Sequence, residues 1–214
     1  MSNYNYWNKV FADKAQNIAS QSDSAHDFLH FQRVVKTALE IAREEGAKLE
    51  VVLPASWLHD IVYVAKDSPD RKLASQYSAE EAINFLIEID YPKEYFDEIY
   101  HAIHSHSYSA GIEAKTLEAQ IVQDADRLDA LGAIGIARCF AVGGSLNRSL
   151  YSHMDLLCEQ REPDDSTYTT DHFYNKLFKL PEKLNTRAAK AMAQERVMFM
   201  RQYLEQLKNE VIAT

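Results

Sequence analysis

The residues in this chain best equipped for chemistry are histidines and aspartates, and their distribution is uneven. Six of the eight histidines, His26, His30, His59, His101, His104 and His106, fall in the first half of the chain. His26 and His30 are four residues apart, so on a helix they share one face, beside an apolar stripe of Phe28, Phe31 and Val35. Either can point inward at the edge of a core. The doublet His59-Asp60 sits inside the apolar string Ala55-Ser-Trp-Leu-His-Asp-Ile-Val, where an adjacent ionisable pair is costly to bury without a partner. A cation would be such a partner. Farther on, Asp124-Ala-Asp126-Arg-Leu-Asp129 places three carboxylates and an arginine between the apolar flanks Ile121-Val122 and Ala130-Leu131. Imidazole nitrogens with carboxylate oxygens suit Zn²⁺, Mn²⁺, Fe²⁺ and similar ions, and two His with two Asp leave coordination positions open for water and substrate. Such an ion lowers the pKa of water and polarises a phosphoryl oxygen. Taken singly, each of these residues is an ordinary core histidine or helix-surface aspartate; the combination is what points to a metal.

Helices must position these groups. Only 6 glycines and 5 prolines occur in 214 residues, too little turn chemistry for many short strands, and the fold class expected is all-α. Apolar residues recur at Phe28, Phe31, Val35, Ala38 and Ala42, the period of one helical face, after the N-cap types Asp23 and Ser24 and before Gly46 as a stop. A second helix is expected to start near Leu49–Pro54, with proline in its first turn, and to run through Val62 toward Ala65. Lys66–Tyr77 reads as a loop, and Ser78 with Glu81 has capping-box spacing for a helix reaching about Asp90. Tyr91-Pro92 separates it from a helix over Lys93–His104, and Thr116 to about Phe140 reads as one long or broken helix, with Gly132 and Gly135 inside it and Gly143-Gly144 closing it. Residues 145–170 are irregular, followed by a short helix from Asp171 to Leu180 and a long amphipathic one from Thr186 to about Val211.

No repeat or linker divides the sequence, so one domain over 1–214 is expected, with a core at about 20–140 and a C-terminal helical extension at 145–214 packed on it. The net charge of −9 argues against broad binding to nucleic acid duplexes or an anionic membrane. Cys139 and Cys158 have no ribbon spacing, so neither a disulfide framework nor a thiolate zinc site is expected. With no signal-like N-terminus and no apolar stretch of membrane-spanning length, the location expected is cytoplasmic.

Three pieces of the sequence, His30 in His-Phe-Gln-Arg33-Val, the doublet His59-Asp60 after Leu58, and Asp126 in Ala-Asp-Arg-Leu-Asp129-Ala, resemble the H…HD…D signature of the HD-domain metal-dependent phosphohydrolases. The longer strings His26-Asp-Phe-Leu-His30, His106-Ser-Tyr-Ser, Gln123 to Arg138 and Asp171 to Leu180 are similar to the YedJ/YpgQ-like bacterial branch, over about residues 20–205. The resemblance implies a helical HD-domain bundle, a divalent metal (Mn, Mg, Co, Fe, Zn or Ni) and hydrolysis of phosphate esters or anhydrides, with pyrophosphohydrolysis of (d)NTPs known in the branch. It also implies the ligands: His30, His59, Asp60 and one of Asp124 and Asp126. Residues two apart on a helix point about 200° from one another, so both aspartates do not easily meet one ion. The Ala-Asp-Arg-Leu match favours Asp126, and Asp124, in line with Ile121 and Leu128, is the alternative. His26 is then expected to support the ligands from behind or to face substrate.

Departures from relatives are informative. Enzymes of the family that hydrolyse (p)ppGpp carry acidic residues three and four positions after the doublet, where this chain has Tyr63 and Val64. The cyclic-dinucleotide branch has HDxGK and a Gly-Tyr-Pro element, neither of which occurs here. No proton donor stands beside the doublet; Asp67, His104, His106 and Asp129 are candidates, and with Asp60 the expected catalytic residues are His106 and Asp129, imidazole titrating near working pH. A phosphate substrate needs cations, for which Arg33, Lys66, Arg71, Arg127, Lys176 and Lys179 are available; Arg33, Arg127, Lys176 and Lys179 are the expected substrate contacts beside His26. The function expected is a metal-dependent phosphohydrolase acting on a nucleotide or related phosphate compound, the alternative a catalytically weak metal- or nucleotide-binding sensor. A homodimer is left open.

Overall fold

The computed structural model describes residues 2–19, 28–65, 68–107 and 110–211. It is all-α: nine α-helices with short 3-10 turns are present among the described residues, and the one β-type pairing is an isolated bridge between Ser149 and Tyr168. The chain divides into two compact units, one of residues 1–126 with 185–189, the other of residues 127–184 with 190–214. None of the described helices is by itself long and apolar enough to cross a membrane.

The first unit is built around a short helix with no polar face. Helices α1 (Ser2–Ala19), α2 (Phe28–Glu45) and α3 (Leu49–Leu58) are followed by α4 (Ala74–Glu88) and α5 (Phe96–His106). Every residue of α3 from Val51 to Leu58 is buried, as a stretch apolar but for Ser56 requires, and it packs against α1, α2, α4 and α5. α2 ends as its sequence suggests: Gly46 takes φ +73° and Ala47 N–H donates to the Ala42 carbonyl at 3.0 Å, closing the last turn.

Other expectations are corrected. Pro54 lies inside α3, where it removes the donor that the Glu50 carbonyl would otherwise receive; the Tyr91 hydroxyl supplies it instead, at 2.7 Å. α3 stops at Leu58 rather than continuing to Ala65, and residues 61–65 are non-helical. α4 begins at Ala74, preceded by a 3-10 turn over Pro69–Leu73 that Ser68 caps by accepting from Asp70 N–H. Ser78 is therefore not an N-cap: it is buried within α4, and its hydroxyl accepts from Val62 N–H at 3.1 Å. No helix is expected over residues 1–19, although Tyr4, Trp7, Phe11, Ala15 and Ile18 recur at the spacing of one helical face; α1 forms there, buries Phe11 and Ala15 completely and sets Trp7 edge-on to Tyr91.

The last helix of the first unit, α6 (Leu117–Leu128), is capped by Thr116, whose hydroxyl accepts from Ala119 N–H. The segment expected as one long or broken helix is broken: α7 (Gly132–Ser145) follows after a turn, with Gly132 at φ +74°. In the second unit, α8 (Asp171–Asn175) leads into a 3-10 turn over Leu177–Lys183, and α9 spans Arg187–Val211. Phe173 is fully buried and its ring meets those of Phe140, Phe178 and Tyr203. The fully buried Asp171 carboxylate receives Arg161 through both terminal nitrogens and Asp164 N–H at 2.6 Å. These contacts give the Asp171–Leu180 string a structural role: its acid pins the preceding irregular loop and its phenylalanine anchors the aromatic core.

Candidate metal centre

Four helices of the first unit contribute side chains to one cluster. His30 comes from the buried face of α2 and is 2% exposed; His59, fully buried, sits at the C-terminal end of α3. Their Nε2 atoms lie 3.3 Å apart. Asp126, on α6, brings Oδ1 to 3.6 Å from His30 Nε2 and 4.0 Å from His59 Nε2. Asp60 follows His59 in the turn that ends α3, with Oδ2 3.9 Å from His59 Nε2. Ligand atoms of His30, His59 and Asp60 all lie within 4.8 Å of one another. The imidazoles are enclosed, whereas the side chains of Asp60 and Asp126 keep 23% and 30% of their surface open to solvent, so the carboxylates form the accessible side of the cluster.

The hydrogen bonds decide which nitrogens are free to ligate. His59 Nδ1 lies 2.8 Å from the Ser56 carbonyl, so that nitrogen carries the proton and Nε2 keeps its lone pair. Burial holds the His59 pKa down to about 4 despite the opposing charge of Asp60. A neutral imidazole therefore presents a lone pair to a second imidazole nitrogen 3.3 Å away, with two carboxylate oxygens nearby. That donor set fits a divalent cation, with nitrogen and oxygen ligands and one open side.

His106, at the end of α5, adds a different element. Its Nδ1 donates to the Ile103 carbonyl at 2.6 Å, and its Nε2 faces Asp60 Oδ1 at 3.2 Å. Burial opposes a charge on this ring, but the hydrogen bond to Asp60 and the charges of Asp60 and Asp126 outweigh it and the pKa is raised. With Nδ1–H committed to a carbonyl, the contact with Asp60 is a hydrogen bond with one proton between Nε2 and Oδ1.

The remaining candidates lie elsewhere. Asp124 is fully buried and turned to the start of α9: it accepts from Asn185 N–H at 2.9 Å, Thr186 N–H at 2.8 Å, the Thr186 hydroxyl at 2.9 Å and the Asn185 side-chain amide at 2.9 Å. Burial raises its pKa against the pull of those donors. Asp129 belongs to the second unit and is ion-paired with Arg138; Arg127, also there, donates to the Lys183 carbonyl. Lys176 and Lys179 are exposed on the second unit. Arg33 is half-buried on α2, one turn beyond His30. His104 packs its ring against Tyr100, and His101 accepts from Lys115 N–H. His26, Lys66 and Asp67 lie outside the described residues. Three supporting groups carried no sequence signal: the backbone carbonyls of Ser56 and Ile103, which orient the two rings, and the Ser78 hydroxyl, which holds the segment after the doublet.

Known proteins resemble the chain in sequence and in fold. The HD domain family model matches residues 28–131, the span containing every member of the cluster. The Bacillus subtilis protein YpgQ is 34% identical over 200 residues, covering 92% of this chain and 89% of its own. The crystal structure of Bacillus subtilis YpgQ in complex with ADP superposes with a TM-score of 0.72 at 33% identity, over 95% of this chain and 96% of that one. An HD-superfamily hydrolase from Bacillus thuringiensis superposes with a TM-score of 0.76 at 32% identity, over 96% and 97%. With the helical fold, the ordered His30, His59-Asp60 and Asp126 cluster and homology over nearly its whole length, the chain belongs to the HD-domain superfamily and carries the fold of its hydrolases.

Proposed function

We propose that this protein is a metal-dependent phosphohydrolase acting on nucleotides, with (d)NTP pyrophosphohydrolysis as the reaction. The observation that carries the reading is the meeting of two imidazole Nε2 atoms at 3.3 Å beside the Asp126 and Asp60 carboxylates. In this reading His30, His59, Asp60 and Asp126 hold one divalent ion. When bound, the ion supplies Lewis-acid activation of water and of the phosphoryl group. The chain supplies the rest. The Ser56 carbonyl keeps His59 in the tautomer whose Nε2 ligates. His106 steadies Asp60 and holds a proton at Nε2, and it is the proton source we assign to the leaving oxygen. Arg33, one turn from His30, is assigned to a substrate phosphate. Asp129, engaged by Arg138, is given no step. Nucleotide specificity is supported by the relative that was crystallised with ADP.

The test is elemental analysis of protein loaded with Mn²⁺, Co²⁺ or Mg²⁺, followed by a nucleotide panel, repeated with His59→Ala and Asp60→Ala. The wild type should bind metal and release pyrophosphate from a nucleoside triphosphate, and both variants should lose metal and rate together. Silence of the wild type across all metals and nucleotides overturns the reading. Variants that keep metal and rate overturn the residue assignment.

A further inference from the structure

The segment that follows the His59-Asp60 doublet is non-helical over residues 61–65, yet it is held at successive points. Val62 N–H donates to the buried Ser78 hydroxyl at 3.1 Å, the Arg71 guanidinium donates to the Val64 carbonyl at 2.8 Å, and Ser68 N–H donates to the Ala65 carbonyl at 3.0 Å. Between the first two of these anchors stands Tyr63. Its side chain is 47% exposed, and it makes no hydrogen bond or ring contact among the described residues. The contrast with Tyr6, the other exposed tyrosine among the described residues of the first unit, is informative, since the Tyr6 ring packs edge-on to Trp7 at 4.9 Å. Among the described residues, Tyr63 thus combines a fixed backbone with an exposed ring that has no hydrogen-bond or ring partner. Keeping a large ring in water on a fixed backbone contributes nothing to the core, while such a ring is suited to stack on a planar ligand.

Position along the chain sets which part of a ligand it can meet. Tyr63 is three residues beyond Asp60, so their Cα atoms are separated by at most about 11 Å. A phosphate at the carboxylate side of the cluster leaves the rest of a nucleotide to extend over a distance of that order. We propose that Tyr63 is the nucleobase platform of this site: its ring stacks on the base of a nucleotide whose phosphates lie at the His30, His59, Asp60 and Asp126 cluster. The inference deepens the nucleotide reading above and rests on it. Stacking accepts any base, because every base has a π face, so the residue distinguishes nucleotides from compounds that carry phosphate alone and does not select one base.

The experiment measures equilibrium binding of ADP and of inorganic pyrophosphate to the full-length Mn²⁺-loaded protein by calorimetry, for the wild type, Tyr63→Ala and Tyr63→Phe. Tyr63→Ala should weaken ADP about tenfold or more, in the range found when a stacking ring is truncated, and leave pyrophosphate within twofold. Tyr63→Phe, which keeps the ring, should bind both like the wild type. Metal content and melting temperature should be the same in all three proteins. Equal ADP affinity in wild type and Tyr63→Ala, a parallel loss of ADP and pyrophosphate, or failure of the wild type to bind ADP each overturns the proposal. A wild type that releases pyrophosphate from nucleoside triphosphates while Tyr63→Ala matches it in both KM and ADP affinity sinks the platform and leaves the phosphohydrolase standing. Absence of turnover in the wild type with intact selective ADP loss in Tyr63→Ala does the reverse.

Discussion

Asp124 and Asp126 differ by two positions on one helix and by everything in their surroundings. Asp126 faces His30 and His59 with part of its surface in water, whereas Asp124 is sealed and spends both oxygens on Asn185 and Thr186. Replacing Asp124 by Asn puts an amide NH₂ among N–H donors and leaves buried groups unmatched, which costs about 1–3 kcal/mol for each group left unsatisfied. Asp124→Asn should therefore lower the urea midpoint in chelator while keeping the metal stoichiometry of the wild type. Asp126→Ala should do the opposite, losing metal with a shift of less than about 1 kcal/mol in the chelated protein, as suits a partly exposed side chain. Equal effects of the two substitutions on metal content would remove the distinction. The sequence made the His59-Asp60 doublet conspicuous because ionisable groups stood in an apolar string. It left the two aspartates nearly equivalent, because what separates them is a contact with residues about sixty positions downstream, and neither periodicity nor spacing reports contacts of that range. The carbonyls that orient His59 and His106 were invisible for a related reason: every residue has one.

Elements were legible where their ends carry local chemistry. Gly46 stops α2 with a positive φ, and Thr116 caps α6, both as their residue types suggest. The misread ends are those decided by another part of the chain. Pro54 is tolerated inside α3 because Tyr91 supplies a hydroxyl to the Glu50 carbonyl, and Ser78 serves Val62 instead of starting a helix. α7 shows the same contrast among its glycines. A Cβ on Gly135 would stand 2.2 Å from the Ala130 carbonyl oxygen, a backbone atom that cannot swing aside, whereas a Cβ on Gly144 would meet nothing within 4 Å. Gly144→Ala should stabilise by about 0.5–1 kcal/mol through the lower conformational freedom of the unfolded chain. Gly135→Ala should destabilise by about 1–3 kcal/mol, the usual cost of forcing an extra carbon into a filled space. Chemical denaturation of the two variants checks the signs, and a Gly135→Ala protein as stable as the wild type would mean that the turn before α7 relaxes without penalty.

For the molecule as a whole, the candidate ligand atoms are spread over nearly a hundred residues of sequence, from His30 to Asp126, yet all belong to the first compact unit. An unfolded chain cannot hold four such groups around one ion, so binding energy is gained by the folded state alone and adds to its stability by mass action. Free Mn²⁺ at one hundred times its dissociation constant should contribute about 2.7 kcal/mol. In a chain of 214 residues, each kcal/mol raises the melting temperature by about 2–4 °C, so a rise of roughly 5–10 °C is expected. The gain belongs to whichever thermal transition disrupts the first unit; if calorimetry resolves two transitions, only that one should move, and if it resolves one, the whole endotherm should shift. His59→Ala removes a ligand and should abolish the shift. A melting temperature indifferent to Mn²⁺, or an equal rise in His59→Ala, would mean that the buried imidazoles and carboxylates hold one another without an ion. The two imidazole nitrogens at 3.3 Å would then be joined by an ordinary N–H···N hydrogen bond, His30 Nε2–H donating to the His59 Nε2 lone pair with both rings neutral, and a buried pair satisfied in that way needs no cation.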